Sequence, residues 1–310
     1  MLLSRVGDDL YWGSRYLERA EGTARVVRTF TEVLLDLPTG VMSSWEPLLA
    51  VAGSREEFDR GHLRAGESDV VRFLVADPTN LGSVVASVAQ ARENLRTTRE
   101  VLPREAWQSV NDLYLFTGRD SELGVDRRSR ARFLGRVIDE IQHLEGVLAG
   151  SMLRDEAHEL WRLGQSIERA DMTTRVIGVR AAALLAAEGV AADFPEVQWM
   201  GVLRAVSGLQ MYQRTTRGPI DGASVVRFLL FDQQFPRSVS ACLVRIRDAL
   251  ARLPRPERTL LAVDDVERAL APTLDVADDG AALDDAMDRV QATLAQLNDM
   301  VRETFVRAAE

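Results

Sequence analysis

The chain is predicted to be all-α, and three observations carry that reading. Apolar residues recur at three- and four-residue spacing along most of its length, as one buried stripe of a helix requires. No run alternates β-branched with polar residues at the two-residue period of a strand. The sequence also repeats itself. Leu10-Tyr11-Trp12 and Tyr16-Leu17-Glu18-Arg19-Ala20-Glu21-Gly22-Thr23-Ala24-Arg25 return as Leu160-Trp161-Arg162 and Ser166-Ile167-Glu168-Arg169-Ala170-Asp171-Met172-Thr173-Thr174-Arg175. Trp45 with Leu48-Leu49 returns as Trp199 with Val202-Leu203. Val70-Val71-Arg72-Phe73-Leu74, Asp77 and Ser83-Val84 return as Val225-Val226-Arg227-Phe228-Leu229, Asp232 and Ser238-Val239. Three collinear matches at offsets of 150 to 155 imply duplication of a unit half the chain long. That period is too long for a solenoid. The expectation is a duplicated helical bundle, with residues 1–150 and 151–310 forming two lobes related by a pseudo-twofold axis.

The elements follow in order. Val6, Leu10, Gly13, Leu17, Ala20, Ala24, Val27 and Leu34 form the stripe of a long first helix, stopped by Pro38-Thr39-Gly40. Small residues at Gly13, Ala20 and Ala24 invite close approach by a neighbouring helix. Further helices are expected over 45–52, 68–76, 81–102, 104–117 and 128–148. The twin of the first runs over 156–185 and stops at Glu188-Gly189 and Pro195. The second copy then supplies 198–214, 223–231, 236–253, 263–270 and 281–308. Asp77-Pro78, Pro254-Arg255-Pro256 and Asp278-Asp279-Gly280 read as turns or loops.

Composition narrows the function classes. The 310 residues are 46% hydrophobic and 27% charged, ordinary for a soluble protein and enough to bury a sizeable core. Net charge is −9, and every basic residue apart from the histidines is arginine. With no lysine, a Schiff base, a lysine general base and a phosphate-loop lysine are excluded within the chain. The acidic balance argues against nucleic acid as a partner. A lone cysteine, Cys242, in an apolar stretch forms no internal disulfide and reads as a small buried hydrophobe. Met1-Leu2-Leu3-Ser4-Arg5 opens no signal peptide, and no stretch has the 18 or so apolar residues of a membrane span. A cytoplasmic location is expected, with no membrane partner.

Candidate chemistry lies in the polar residues kept in both copies. Ser14, Glu18, Glu21 and Arg25 share one helix face beside the apolar stripe, as do Gly164, Glu168, Asp171 and Arg175. Glu21 with Arg25 and Asp171 with Arg175 are acid-before-base i,i+4 pairs, each supporting a helix by only a few tenths of a kcal/mol. Such a pair is usually solvated surface charge, and its repetition in both copies points to more. Two readings stand: interhelical Glu–Arg networks holding the lobes together, or a polar pocket between them. The second set is Arg72, Asp77, Ser83 and Arg92 with twins Arg227, Asp232, Ser238 and Arg247. Asp77 and Asp232 precede helix starts, where an arginine would complete an anion site. The plainer alternative is Asp capping its helix and pairing with Arg. Arg92, Arg96 and Arg99, at i, i+4 and i+7, would lie on one face, needing an anionic ligand unless carboxylates such as Glu18, Glu21 or Glu105 neutralise them.

Metal chemistry has thin support. Glu140-x-x-His143 resembles half of a di-iron set and Asp155-x-x-His158 is a poor second. The three histidines, His62, His143 and His158, have no twins. No metal and no cofactor is expected, and no Ser-His-Asp set, Gly-rich phosphate loop or Cys-x-x-Cys pair is present. Trp12, Trp45, Trp107, Trp161 and Trp199 read as core.

The first-copy residues Arg5-Val6, Leu10-Tyr11-Trp12, Arg15 to Glu21 and Thr23-Ala24-Arg25 resemble the opening signature of the alpha-E domain family. Arg154-Asp155-Glu156, Leu163-Gly164, Ile167 to Thr173 and Arg175 are similar to it too. Arg92-Glu93-Asn94, Arg96, Arg99, Glu105 and Trp107 resemble its central arginine-rich stretch, and Phe228-Leu229, Asp232 and Phe235-Pro236-Arg237-Ser238-Val239 its later motif. Gly13-Ser14 stands where the family has a leucine–glycine pair, and Gly22 where asparagine is usual. The resemblance covers nearly the whole chain. It implies an all-helical protein linked to circularly permuted ATP-grasp ligase-like proteins and transglutaminase-like proteins, as partner or substrate-holding component of a peptide or amide ligation system. With no ATP-grasp segment, this chain would be the stand-alone helical component. Two alternatives are an enzyme using Glu18 or Glu168 as acid or base in an inter-lobe pocket, and a purely structural scaffold. The candidate polar face comprises Glu18, Glu21, Arg25, Arg92, Arg96, Arg99, Glu168, Asp171, Arg175, Ser83, Ser238 and Arg237.

Overall fold

A computed structural model describes residues 4–36, 44–61, 65–186, 195–277 and 279–306. Among these residues the fold is all-α, without strands. The order is α1 (Ser4–Asp36), α2 (Glu46–Val51), α3 (Arg55–Gly61), α4 (Glu67–Val75), α5 (Val84–Arg96), α6 (Arg104–Val125) and α7 (Arg130–Ser151). Then come α8 (Glu156–Ala186), α9 (Pro195–Ala205), α10 (Leu209–Thr215), α11 (Gly222–Phe231), α12 (Val239–Leu250), α13 (Glu257–Leu270) and α14 (Gly280–Val301). The stop signals at Pro38-Thr39-Gly40 and Glu188-Gly189, and His62, lie outside the described residues. No described helix is long and apolar enough to cross a membrane.

The two longest helices, α1 and α8, form the axis of the molecule. Their apolar stripes are buried at Leu10, Leu17, Ala20, Ala24 and Val27 on one, and at Leu160, Leu163, Ile167, Ala170 and Ile177 on the other. Burying such stripes supplies most of a helix's stability in a protein, more than local propensity does. α5 and α7 flank α1, while α12 and α14 flank α8. α6 covers α5 and α7, and α13 covers α12 and α14. The short helices are exchanged, since α9 packs on α1 and α2 packs on α8.

Several expected helices differ in extent for local reasons. The 81–102 segment is a turn, then α5, then a one-turn 3₁₀ helix at Arg99–Val101. Thr97 and Thr98 end α5 by turning their hydroxyls onto the carbonyls of Asn94 and Leu95. The 198–214 segment breaks at Ser207, whose φ of 53° cannot continue a helix. Its sequence counterpart, Gly53, has φ 62°, so the same left-handed turn recurs in both copies. α3 was not anticipated, because of its seven residues only Phe58 is buried.

Candidate functional site

α1 and α8 run side by side in the same direction at a register offset of 150. Gly164 sits against Ser14 and the carbonyl of Tyr11, and Gly22 sits against Met172. On this frame the duplicated Glu-Arg dipeptides meet across the pair with their roles exchanged. Glu18 accepts two hydrogen bonds from Arg169, Nε to Oε1 at 2.8 Å and Nη2 to Oε2 at 2.6 Å. Glu168 accepts the reciprocal fork from Arg19, Nε to Oε1 at 2.6 Å and Nη2 to Oε2 at 3.1 Å. Each carboxylate takes a second arginine: Arg237 on Glu18 at 2.7 Å and Arg15 on Glu168 at 2.7 Å. Glu18 is 2% exposed and Glu168 3%, so both carboxylates are shielded from solvent. Bidentate Arg–carboxylate bonds in such a dry place are strong and directional.

The next turn repeats the exchange. Glu21 pairs with Arg25 at 2.5 Å and Asp171 with Arg175 at 2.8 Å. Arg25 then donates to the hydroxyl of Ser207 in the turn after α9, while Arg175 lies against Gly53 in the turn after α2. A side chain at Gly53 would meet Arg175 Nη1 at 2.5 Å. Arg237 bridges Glu18 and Glu21, and Gln142 donates to Glu21 at 3.3 Å. Burial would raise the Glu21 carboxyl, but Arg237 and Arg25 overcome it and hold it at about 2. Glu168 is also held at about 2, Arg15 and Arg19 outweighing its burial. Carboxyl oxygens of Glu18, Glu21 and Glu145 converge within 4.8 Å of one another, a metal-like grouping. The cations among them are guanidinium groups: Arg169 and Arg237 on Glu18, Arg25 and Arg237 on Glu21, and Arg169 on Glu145.

The remaining predicted site residues are not brought to this centre. Arg92, Arg96 and Arg99 do not form one ligand-seeking face, because α5 ends at Arg96. Arg96 is exposed and paired with Glu93 at 2.6 Å. Arg92 lies over the rings of Tyr114 and Trp107, with centroids at 5.0 and 5.6 Å, and Arg99 over Trp107 at 5.4 Å. Their charge is met by a neighbouring carboxylate and aromatic faces, not by Glu18, Glu21 or Glu105. Ser83 and Ser238 are N-caps, accepting from the amides of Ala86 and Ala241. Each serine also donates to the carbonyl of Asp77 or Asp232, and those aspartates close the preceding turns by accepting from Thr79, or from Gln234 and Phe235. The expectation that Asp would cap and pair with Arg is thus corrected: serine caps, and Arg72 pairs with Glu122.

Sequence reasoning missed a pocket of about 530 Å³ beside the Glu18–Arg169 pair. Glu145 of α7, Arg169 and Trp161 of α8 and Arg245 of α12 line it. Burial, with the nearby charge of Glu18, pushes the Glu145 carboxyl up to about 7 despite Arg169. Only a count of cations along 154–169 and 245–252 could have pointed to it.

An all-helical chain whose two long helices are clasped by reciprocal Glu-Arg dipeptides belongs, by fold and site, among helical domains defined by such a dipeptide. The chain is a member of the alpha-E family: the family model, described as a predicted alpha-helical domain with a conserved ER motif, matches residues 2–306. An uncharacterised protein of Mycobacterium bovis is 27% identical over 328 aligned residues, which cover 97% of this chain and 36% of that protein. Uncharacterised proteins from two strains of Mycobacterium tuberculosis match to the same extent. The chain thus spans little more than a third of the length of these curated relatives. No solved structure matches it.

Proposed function

We propose that the chain is the helical partner or substrate-holding component of an ATP-grasp-type peptide or amide ligation system, acting in the cytoplasm. The observation that carries the non-catalytic part of this reading is the state of Glu18 and Glu168. A general acid or base must reach the proton it moves and hold a pKa near the working pH. Both carboxylates are buried, each is held by two arginines, and Glu168 is held at about 2. They suit the holding of helices, which weakens the reading as a stand-alone enzyme using them. The choice of an ATP-grasp ligase-like protein and a transglutaminase-like protein as partners rests on what the family resemblance implies. The test is to purify the chain with an ATP-grasp ligase-like protein encoded beside its gene. The proposal predicts a complex on gel filtration and ATP-dependent ligation that falls when the chain is withheld. A ligase that never associates and is fully active alone overturns it and leaves the scaffold reading in front.

A further inference from the structure

The pocket between α7, α8 and α12 carries more positive charge than the molecule itself neutralises. Arg154, Arg162, Arg169, Arg245 and Arg252 all contribute to its wall. Two of these cations are spoken for. Arg169 is committed to Glu18, and Arg162 pairs at 2.8 Å with Glu159, which is 2% exposed and also bonded to His158. Among the described residues, the other three have no carboxylate partner. Arg154 meets His158 Nε2 and the carbonyl of Ala149, and Arg245 reaches only the carbonyl of Pro236 at 3.4 Å. Arg252 stands exposed on the rim.

Like charges converging on one concavity repel, and partial burial makes each cation costlier. Arg245 shows both effects: burial, then the charges of Arg169 and Arg162, make its protonated form harder to keep. The duplication supplies a second argument. At the sequence offsets of the two copies, Arg162, Arg245 and Arg252 stand where the first copy has Trp12, Gln90 and Thr97. The scaffold therefore does not need arginine at those places; the second copy alone has gathered them around a cavity. Leu148, Ala149 and Trp161 give the same cavity an apolar wall. A concave site of this volume with a few converging polar groups is the usual form of a small-molecule pocket.

We propose that this pocket is a binding site for a small polyanion bearing carboxylate or phosphate groups, held by Arg154, Arg245 and Arg252. The planar guanidinium fork matches either oxyanion bidentately, so the two sources share one chemistry. This site goes beyond the ligation reading and does not rest on it: a scaffold, a holding component or an enzyme could each own it.

Calorimetric titration of the whole chain at low ionic strength with citrate and, separately, with pyrophosphate tests the proposal. Saturable binding of at least one probe at one site per chain is expected, and the tighter probe identifies carboxylate or phosphate as the preferred group. Arg252→Gln, at an exposed position, and Arg245→Gln should each weaken it about tenfold or more, the cost of one charge-assisted hydrogen bond. The melting temperature should stay unchanged in Arg252→Gln, and Arg245→Lys should restore part of the binding if Arg245→Gln folds poorly. Arg96→Gln, an arginine remote from the pocket, should leave binding as it was. Absence of saturable binding for both probes overturns the proposal. So does equal weakening by Arg96→Gln, which would reduce the effect to net charge.

Discussion

At the scale of single residues, the fate of each carboxylate follows from how many guanidinium groups surround it. Glu21 and Glu168 are each ion-paired with two arginines and held at about 2; Glu145 is ion-paired with Arg169 at 3.3 Å, and burial, with the charge of Glu18, pushes it up to about 7. The groups around Glu145 are Gln165 and Arg169 from α8, Glu18 and Glu21 from α1, Arg237 before α12 and Arg245 within it. Linkage fixes the sign of its effect. Between its unfolded value near 4.5 and about 7 the folded protein binds the extra proton, so this group lowers stability as pH rises through that window and holds the loss above it. Glu145→Gln removes the ionisation. The variant should gain melting temperature over the parent at pH 8 and show little or no gain at pH 5. An equal difference at both values would mean that Glu145 titrates as an ordinary surface glutamate. Glu18, Glu21 and Glu168 were legible because the duplication kept acidic residues beside an apolar stripe. The Arg25 partner of Glu21 was legible too, from its i,i+4 spacing; the arginines that cross between α1 and α8 were not. Residues i and i+1 of a helix point apart, so Arg19 and Arg169 could not be joined to the neighbouring glutamates without knowing that two copies face each other.

At the scale of elements, helices with a strong stripe were readable almost to their ends, and the breaks were not. α8 was expected over 156–185 and spans Glu156–Ala186. The break after α5 is made by threonine hydroxyls, and that after α9 by a serine in a left-handed turn. Neither carries the proline that usually announces a stop. The arginine face over 92–99 was misread because its neutralising groups are local or aromatic: Glu93, Trp107 and Tyr114. The α1–α8 contact depends on Gly164. A Cβ there would collide with the Tyr11 carbonyl and Ser14 Oγ, and a backbone atom cannot swing aside as a side chain can. Helix propensity alone makes Gly164→Ala stabilising by about 1 kcal/mol. Overpacking opposes it with about 1–3 kcal/mol. The second term should win, and chemical denaturation of Gly164→Ala should show a net loss of stability. A gain would mean that the two helices separate at no cost.

At the scale of the whole molecule, the contacts of α1 and α8 come in exchanged pairs. Glu18 takes Arg169 while Glu168 takes Arg19, Arg25 reaches the turn after α9 while Arg175 reaches the turn after α2, and α9 lies on α1 while α2 lies on α8. When the twin of each residue contacts the twin of its partner, the pattern is that of a twofold interface, and we propose that residues 1–150 and 151–310 are two lobes joined that way. The pocket escaped sequence reasoning because it breaks this pattern: three of its arginines, Arg162, Arg245 and Arg252, stand where the first copy has Trp12, Gln90 and Thr97. Buried ion pairs seldom add net stability over well-packed apolar groups, yet removing one partner strands a charge at about 3–5 kcal/mol. Their use here is to fix which residues of α1 meet which of α8, as polar core residues do in coiled coils. The most direct test of this clasp is a double-mutant cycle on Glu168 and Arg19, each changed to glutamine singly and together, with stability read by denaturant unfolding. Coupling of about 1–3 kcal/mol is predicted, matched in sign by a second cycle on Glu18 and Arg169. Additivity within about 0.5 kcal/mol in both cycles would contradict the clasp.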